Sequence, residues 1–278
     1  MSMPVREAIG PNEIHRFDTA ELRDRFLFTG LFSPGEITLT YCHLDRTIIG
    51  GAMPAGSALK LETEKQVGTS SFLERREMGA FNIGGPGVIS LDGTDYDLGS
   101  SDCLYIPMGT SEVRFSSKEP QNPAKYYLVS VPAHARHEAR LITIDDANRL
   151  DLGSQVDSNK RILRQYIHPD ICESCQLVLG MTIIEEGNVW NTMPCHRHDR
   201  RSEFYLYFDM AAETRVFHFM GEPEHTRHLV VETEQAIMSP GWSIHCGAGT
   251  GRYAFIWSMA GDNQDFTDMD MVAMETLR

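Results

Sequence analysis

Three histidines and one glutamate in the second half of the chain have the residue types and the spacing of a metal-binding set. His196 and His198 are separated by one residue, so on a β-strand both side chains would project to the same face. Glu203 follows soon after them, and His245 comes after a Pro-Gly turn. Imidazole and carboxylate groups together bind divalent zinc, manganese or iron. The four residues therefore predict a metal site, although a lone His-x-His pair would also fit a polar surface turn.

The size and charge of the chain limit the number of domains and the kinds of molecule that it is expected to bind. Its 278 residues suffice for one large or two medium domains. With 39 acidic against 25 basic residues, the formal net charge is -14, which disfavours nucleic acid and anionic membranes because both attract basic surfaces. A small anionic substrate is still compatible, since it needs only local positive charge. No leader or long apolar stretch is recognisable, so we expect a cytoplasmic protein.

The six cysteines do not predict disulfide bonds, because they occur in a long chain without an export signal. Cys172 and Cys175 form a C-x-x-C pair, but no second pair completes a zinc ribbon and the flanking strands do not suggest a thioredoxin unit. Cys195 and Cys246 adjoin proposed ligands. As strand neighbours of those ligands they should point away from the metal, so we expect them to pack in the core.

The elements that must position the four residues are short β-strands. Asp18 and Glu21 form a capping box, which predicts one short helix near the N-terminus. From residue 31 onward, short apolar segments alternate with turn residues such as Asp92 and Gly93. Regular short strands with frequent turns indicate a sandwich or a barrel with little helix.

The chain also predicts two lobes that repeat each other in outline, one at residues 1–150 and one at residues 151–278. The polar stretch at residues 145–154 has the composition of an interdomain connection. Strand candidates in both lobes are apolar and end in proline turns. We therefore expect the same kind of β lobe twice.

The two predicted lobes differ in their capacity to bind metal. If Pro107 is aligned with Pro240, Glu74 falls near the position of Glu203. Residues 44–133 contain no histidine, so small shifts of this alignment do not change the conclusion that the first lobe lacks histidine ligands. We predict that the N-terminal lobe has no metal ligands and that the C-terminal lobe carries the metal site.

Several motifs resemble known families. Two β lobes, one with His-x-His-x4-Glu and a later proline turn and histidine, resemble the bicupins, whose lobes are double-stranded β-helices of the jelly-roll kind. The turn departs from the usual pattern, since Trp242 stands where those proteins have glycine. Over nearly the whole chain, the sequence resembles the 5-keto-4-deoxyuronate ketol-isomerases of pectin breakdown, through motifs at residues 41–46, 72–77, 190–196, 226–228, 240–245 and 268–270.

This resemblance implies an all-β, two-lobed cupin (bicupin) with a few short helices that acts as a zinc-dependent aldose–ketose isomerase. The substrate would be 5-dehydro-4-deoxy-D-glucuronate, a small anionic sugar, and the product 3-deoxy-D-glycero-2,5-hexodiulosonate. By the family pattern, one Zn²⁺ per chain would bind His196, His198, Glu203 and His245, and a homo-oligomer, often a hexamer, is expected. Glu203 and His245 are the candidate catalytic residues. Four protein ligands already fill a tetrahedron, so either the coordination expands or Glu203 is released to act as a base.

Candidate substrate contacts come from cationic and aromatic residues near the ligand segments. Arg200, Arg201 and Arg227 could bind the uronate carboxylate through paired hydrogen bonds, or could instead form surface or strand-edge ion pairs. Trp190 and Trp242 flank the ligand segments and could wall the pocket, or could pack in the core.

Alternative functions remain open at the level of sequence. A 5-deoxy-glucuronate isomerase of inositol catabolism would perform the same type of reaction, and a cupin dioxygenase would use the same ligands with iron. A non-enzymatic bicupin that binds sugars has no need of four metal ligands. His225 and His228 are further candidates for acid–base chemistry in an enzyme, although histidine is also frequent in loops.

Overall fold

The computed structural model describes residues 3–278 and is almost entirely β, as expected. Its helices are α1 (Pro11–Ile14) and α2 (Thr19–Phe26), with 3₁₀ turns at Leu44–Arg46 and Met274–Thr276. The strands of the first half are β1 (Val5–Arg6), β2 (Leu27–Phe28), β3 (Glu36–Cys42), β4 (Ile48–Met53), β5 (Leu59–Lys60), β6 (Arg76–Asn82), β7 (Gly87–Leu91), β8 (Thr94–Leu98), β9 (Cys103–Ile106), β10 (Val113–Ser117), β11 (Tyr126–Pro132) and β12 (Arg140–Ile142). The strands of the second half are β13 (Asn148–Leu152), β14 (Arg161–Ile167), β15 (Val178–Ile184), β16 (Trp190–Arg197), β17 (Arg201–Phe208), β18 (Val216–Glu222), β19 (His225–Val231), β20 (Gln235–Ser239), β21 (His245–Gly249), β22 (Ala254–Gly261) and β23 (Asp270–Met271). Among these residues, no helix has the length and apolar character needed to span a membrane.

The chain divides into two compact units that interleave along the sequence. The first unit comprises residues 3–6, 30–148 and 165–179, and the second comprises residues 7–29, 149–164 and 180–278. The N-terminal helices therefore belong to the second unit, whereas the sequence placed them in the first lobe. The division into lobes at residues 1–150 and 151–278 stays a prediction, and its boundary lies near only one of the points where the chain passes between the units.

The first unit contains two sheets, with strand orders β1-β3-β4-β11-β6-β9-β12 and β5-β10-β7-β8. Strand β6 is buried along its whole length, whereas β7 alternates between buried and half-buried residues, as a strand does when one face covers a core. In the β7–β8 hairpin, Leu91 pairs with Thr94. Asp92 and Gly93 between them have φ values of 49° and 87°. Two positive φ values are those of a tight hairpin turn, so the predicted turn is confirmed.

The second unit also contains two sheets, with strand orders β13-β14-β15-β22-β17-β20-β2 and β19-β18-β21-β16-β23. Strand β17 is buried throughout and pairs with β20 and β22. The capping box predicted before α2 is present: the Asp18 carboxylate accepts from the Glu21 backbone N–H at 2.9 Å, and the Asp18 N–H donates to the Glu21 carboxylate at 2.8 Å. Leu22 and Phe26 on this helix are buried, as their spacing predicted.

The sequence of residues 71–73 (Ser-Phe-Leu) predicts a strand, and this prediction is wrong. The segment forms a bend and turns, in which the backbone N–H of Glu74 donates to the Ser71 carbonyl at 3.3 Å. The Glu74 carboxylate in turn accepts hydrogen bonds from the backbone and hydroxyl of Ser70. Phe72 and Leu73 are nevertheless buried, so the apolar run contributes to the core of the first unit without β pairing. Local side-chain hydrogen bonds offered the backbone an alternative to a strand here.

Candidate metal centre

The pairing of strands β16 and β21 brings the imidazoles of His196 and His245 together. In the antiparallel β16–β21 pair, His196 is directly opposite His245. His198 follows the end of β16, and Glu203 lies on β17. Gly241 allows this arrangement, because a Cβ at that position would lie 2.6 Å from the His198 carbonyl oxygen. The close approach of two backbone segments thus accounts for the glycine that directly follows Pro240.

The four side chains converge on one point through their terminal atoms. The Nε2 atom of His196 lies 3.1 Å from Nε2 of His198 and 3.0 Å from Nε2 of His245. The Oε2 atom of Glu203 lies 3.1 Å from Nε2 of His245 and 3.3 Å from Nε2 of His198. The three histidines form a group that could hold a metal ion, and the Glu203 carboxylate borders the same point.

Burial keeps the imidazoles of His196 and His245 neutral. It is the largest cause that lowers the pKa of His196 to about 3, and the neighbouring charges of His198 and Arg201 lower it further. The pKa of His245 is also well below its ordinary value, chiefly through burial and then through His196 and His198. The short distance between Glu203 and His245 is therefore not an ion pair with a charged imidazole. Neutral imidazole is the form that binds metal.

A backbone carbonyl sets the tautomer of His198. Its Nδ1 atom lies 2.9 Å from the carbonyl oxygen of Asp268, which can only accept, so Nδ1 carries the proton. The Nε2 lone pair of His198 is then free to point at the shared centre. Nη2 of Arg201 lies 3.2 Å from the same Nδ1 but 2.8 Å from the same carbonyl oxygen, and donates to the oxygen. Outer hydrogen bonds of this kind orient the histidine ligands of metal ions.

The residues present fit a divalent cation. Oε2 of Glu203 is buried and accepts no hydrogen bond. An ionised carboxylate without a partner is costly to bury, and imidazole lone pairs that face one another add repulsion. A cation among the four atoms would remove both costs. The sequence-derived set of His196, His198, Glu203 and His245 is thus brought together as the prediction required, and the identity of the metal is left open.

A cavity of about 410 Å³ opens onto this centre. Its lining includes His196, His198 and Glu203 together with Arg161 and Asn159, and it is otherwise mostly apolar and aromatic. The remaining lining residues are Leu152, Gly153, Leu163, Thr182, Thr192, Met193, Pro194, Tyr205, Phe255, Trp257, Met259, Phe266, Met269 and Met271. A mostly apolar cavity with a few polar groups at one end is typical of a small-molecule site.

The three arginines predicted to bind substrate do not line this cavity. Arg200 is exposed and donates from Nε to the Asp268 carboxylate at 2.8 and 2.9 Å. Arg201 is buried and holds the Asp268 carbonyl. Arg227 donates to the backbone carbonyls of Ile14 and His15. Each therefore supports the structure around the site, and a direct substrate contact stays a prediction for all three.

The two tryptophans also lie outside the cavity lining. Trp190 packs against Phe219, with ring centroids 5.9 Å apart. Trp242 donates from Nε1 to the Ile9 carbonyl at 3.0 Å. Both contacts agree with the packing alternative, and a role in substrate binding stays a prediction.

The histidines considered for acid–base chemistry are not part of the cavity lining either. His225 stacks edge-on against His15, and His228 lies beside Phe217 and Phe219. His218 is buried, and its Nδ1 atom is hydrogen-bonded to the Tyr207 hydroxyl at 2.8 Å. His218 is therefore a buried, hydrogen-bonded residue of the β18 strand.

The first unit contains the same strand frame without the ligands. Glu203 pairs with Ser239, the residue before Pro240, and Met78 pairs with Ile106, the residue before Pro107. Met78 thus takes the place of Glu203, whereas the sequence alignment put Glu74 there. A thioether among apolar neighbours cannot replace the carboxylate, and the assignment of metal ligands to one lobe stays a prediction.

Comparison with known proteins identifies close relatives of the chain. A model of the KduI/IolB family matches residues 29–275. The chain is 53% identical over 278 residues to 4-deoxy-L-threo-5-hexosulose-uronate ketol-isomerase 1 of Rhizobium meliloti, covering 100% of this chain and 99% of the relative. It is likewise 53% identical over 274 residues to the protein of the same name from Cereibacter sphaeroides, covering 99% and 98%.

Solved structures support the fold. An IolB-like protein from Salmonella typhimurium superimposes with a TM-score of 0.72 at 15% identity, covering 89% of this chain and 96% of that chain. The oxalate decarboxylase of Lactobacillus farciminis superimposes with a TM-score of 0.55 at 9% identity, covering 78% of each chain. Together with the strand content, these neighbours confirm the predicted all-β cupin fold.

Proposed function

The chain belongs to the KduI/IolB family and is an isomerase, and from that premise we propose that it is a zinc-dependent ketol-isomerase of uronate catabolism. The proposed substrate is 5-dehydro-4-deoxy-D-glucuronate (4-deoxy-L-threo-5-hexosulose uronate), and the product is 3-deoxy-D-glycero-2,5-hexodiulosonate. The curated relatives carry the name of this substrate, with about half of their residues identical to this chain over its full length. We therefore propose the same substrate for this chain.

One observation carries the proposal: three imidazoles and one unpartnered carboxylate oxygen converge on one point beside a mostly apolar cavity. His196, His198 and His245 would hold the zinc ion through Nε2, and Glu203 is proposed as the fourth ligand. When bound, the metal supplies Lewis acidity that stabilises negative charge on carbonyl and hydroxyl oxygens. Imidazole ligands in the neutral form would add no charge, so the positive charge of the ion would remain available to stabilise these oxygens.

The reaction moves two protons and no other atoms. A proton leaves the carbon that bears the hydroxyl group and returns to the neighbouring carbonyl carbon, while the hydroxyl proton passes to the former carbonyl oxygen. Glu203 is placed to carry the carbon-bound proton, because its Oε2 borders the cavity and no protein group donates to it. His245 is the other proposed catalytic residue. It lies opposite His196, and this pair would hold the ion in place.

The cavity walls protect this proton transfer from water. Tyr205, Phe255 and Trp257 line the cavity from β17 and β22 and are buried. Met269 and Met271 line it from the C-terminal segment. An apolar enclosure strengthens the interaction of charged groups with the substrate, because less water competes for them.

Two further properties are part of the proposal. We place the enzyme in the cytoplasm, where intermediates of sugar-acid breakdown are processed, and expect a homo-oligomer, in the form of a hexamer. The support is the net charge of -14, which disfavours nucleic acid and membranes, and the need of sheet edges for a covering partner. Size-exclusion chromatography with light scattering tests the hexamer.

The alternatives are less well supported. The family name includes IolB, but the relatives at 50–53% identity are named for the keto-deoxyuronate, so 5-deoxy-glucuronate isomerisation is not favoured. A cupin dioxygenase would need iron and oxygen. No relative among those compared at this identity is named as an oxygenase.

The test is a coupled assay with purified protein and the keto-deoxyuronate formed from unsaturated galacturonate products. We expect turnover that is lost on chelation, is restored by Zn²⁺ and consumes no oxygen. The His245→Ala variant should lose both metal and activity. Turnover by metal-free protein, or obligatory oxygen uptake, would overturn the proposal.

A further inference from the structure

We infer that Arg161 binds the carboxylate of the substrate and thereby selects sugar acids over neutral sugars at this site. Among the described residues that line the cavity, Arg161 carries the one permanent positive charge. It begins strand β14 and lies on the same cavity as His196 and Glu203. The inference rests on the proposed function for the identity of the substrate, and it names the residue that none of the sequence motifs indicated.

The Arg161 guanidinium has no acidic partner in the protein. Its recorded hydrogen bond runs from Nη1 to the backbone carbonyl of Asn159 at 2.9 Å, and no salt bridge joins it to a carboxylate within residues 3–278. Burial lowers the pKa of Arg161, with a smaller opposing effect of Tyr253, so the charge is partly removed from water without a countercharge. A guanidinium in such surroundings gains most from a bound anion, and its planar donors match a carboxylate.

The loop before β14 holds Arg161 in place. The Asn159 side chain accepts from the Ser154 N–H at 2.9 Å and donates to the Met193 carbonyl at 3.3 Å, which fixes the Asn159 carbonyl that Arg161 contacts. Gly153 is required in this loop. It has a φ of +74°, and a Cβ there would lie 2.2 Å from the Asn159 carbonyl oxygen. The subsite is therefore built by the loop and does not depend on a freely moving surface arginine.

The polar groups that line the cavity match the chemistry of the two ends of the proposed substrate. The keto-deoxyuronate has its carbonyl and neighbouring hydroxyl at one end and its carboxylate at the other. If the imidazole and Glu203 end takes the reacting carbons, Arg161 takes the carboxylate, and the apolar wall covers the deoxygenated part of the chain. The arginines first considered, Arg200 and Arg201, are engaged by Asp268.

The experiment compares Arg161→Met and Arg161→Lys with Arg149→Met in the metal-loaded protein. Arg149 is an exposed arginine of the same unit, paired with Asp151 outside the cavity lining, and serves as the matched control. Calorimetric titration uses D-galacturonate and D-galactose as probes, because they differ only by a carboxylate against a hydroxymethyl group. Steady-state kinetics with the keto-deoxyuronate gives KM and kcat, and metal content confirms that each variant is folded.

We expect Arg161→Met to weaken galacturonate binding and to lower kcat/KM about 10- to 100-fold, chiefly through KM, as loss of a charged hydrogen bond does. Arg161→Lys should recover part of this loss, and Arg149→Met should behave as wild type. Galactose binding should be the same in all proteins. Unchanged galacturonate binding by Arg161→Met, or a wild-type protein that does not distinguish the two probes, overturns the inference. If the probes behave as expected but the wild type fails to isomerise the keto-deoxyuronate, the proposed function falls and Arg161 remains the carboxylate subsite for another acid.

Discussion

The imidazole of His198 donates a hydrogen bond from Nδ1 to the backbone carbonyl of Asp268, seventy residues further along the chain. This bond makes the C-terminal segment part of the proposed metal centre, because the tautomer of the proposed ligand His198 depends on it. The Asp268 carboxylate is itself held by Arg200 and by the side-chain amide of Asn263. The position of one carbonyl is therefore secured by two side-chain contacts.

Replacing Asp268 by Ala should weaken metal binding without removing a ligand. The backbone carbonyl keeps its hydrogen bond from Arg201 but loses the support of Arg200 and Asn263 on the Asp268 carboxylate. We therefore expect the dissociation constant for Zn²⁺ to rise about tenfold, at the lower end of the range for outer-sphere partners of metal ligands. Competition with a fluorescent chelator measures it. Asp209→Ala removes a comparable exposed ion pair with Arg252 and should leave the constant unchanged. Equal affinities in all three proteins would show that Asp268 does not position His198.

Replacing Glu203 by Gln should separate metal binding from proton transfer. The amide has nearly the same shape but cannot accept a proton from carbon, so we expect kcat to fall at least about 100-fold. The three histidines should retain much of the metal, which elemental analysis checks. Glu232→Gln, at an exposed glutamate paired with Arg215, is the control. A variant with full metal content and a kcat close to wild type would exclude Glu203 as the proton carrier.

Replacing Glu77 by Leu should destabilise the first unit strongly. Its buried carboxylate accepts from the Tyr105 hydroxyl at 2.8 Å and from the backbone N–H groups of Cys175, Gln176 and Leu177 at 2.7–2.9 Å. The substitution leaves these donors buried without acceptors, and each costs about 1–3 kcal/mol, so the free energy of unfolding should fall by at least about 3 kcal/mol.

Urea denaturation followed by fluorescence measures this loss. The exposed Glu112, paired with Arg114, is the control: Glu112→Leu should leave the midpoint nearly unchanged, since exposed ion pairs contribute little. A Glu77→Leu protein with the wild-type midpoint would mean that the loop carrying these donors rearranges to satisfy them.

Stability should decline on acidification partly through His218. Burial lowers its pKa to about 3, whereas in the unfolded chain it titrates near 6.5. Between these values the unfolded state binds the proton and the folded state does not. The contribution of His218 to stability is therefore complete above about pH 6.5 and is lost as the pH falls toward 3, by up to about 1.4 kcal/mol per pH unit.

His218→Gln removes this titration while keeping a polar side chain. The difference in unfolding free energy between wild type and variant should shrink as the pH falls from 7 to 4, and urea denaturation at several pH values measures it. Contributions of other acidic and imidazole groups cancel in the difference. A difference that stays constant with pH would mean that His218 is not a neutral buried group in the fold.

Local sequence signals predicted those features that depend on near neighbours. The capping box before α2 and the turn at Asp92 and Gly93 are both present, because each is determined by residues within a few positions. The set of His196, His198, Glu203 and His245 was also recognisable, since one strand alternation and one turn are enough to suggest it. These predictions needed no knowledge of which strands pair.

Features that depend on strand pairing could not be predicted. Arg161 carries no motif, and only the fold brings it to the cavity that contains His196. The strand register shows that Met78 corresponds to Glu203. The sequence alignment that matches Pro107 with Pro240 did not find this correspondence. Glu77 acts on residues about a hundred positions away. In each case the topology of the fold determines which residues meet, and the spacing of residues in the sequence does not reveal it.

The bond from His198 to Asp268 also has a consequence for the order of events during biosynthesis. A chain is made from its N-terminus, so His196 and His198 leave the ribosome before the segment that orients His198. Until Asp268 has been added and the C-terminal strands have paired, the tautomer of His198 is not set by this bond. Loading of the proposed metal would therefore belong to the last stage of the chain's maturation.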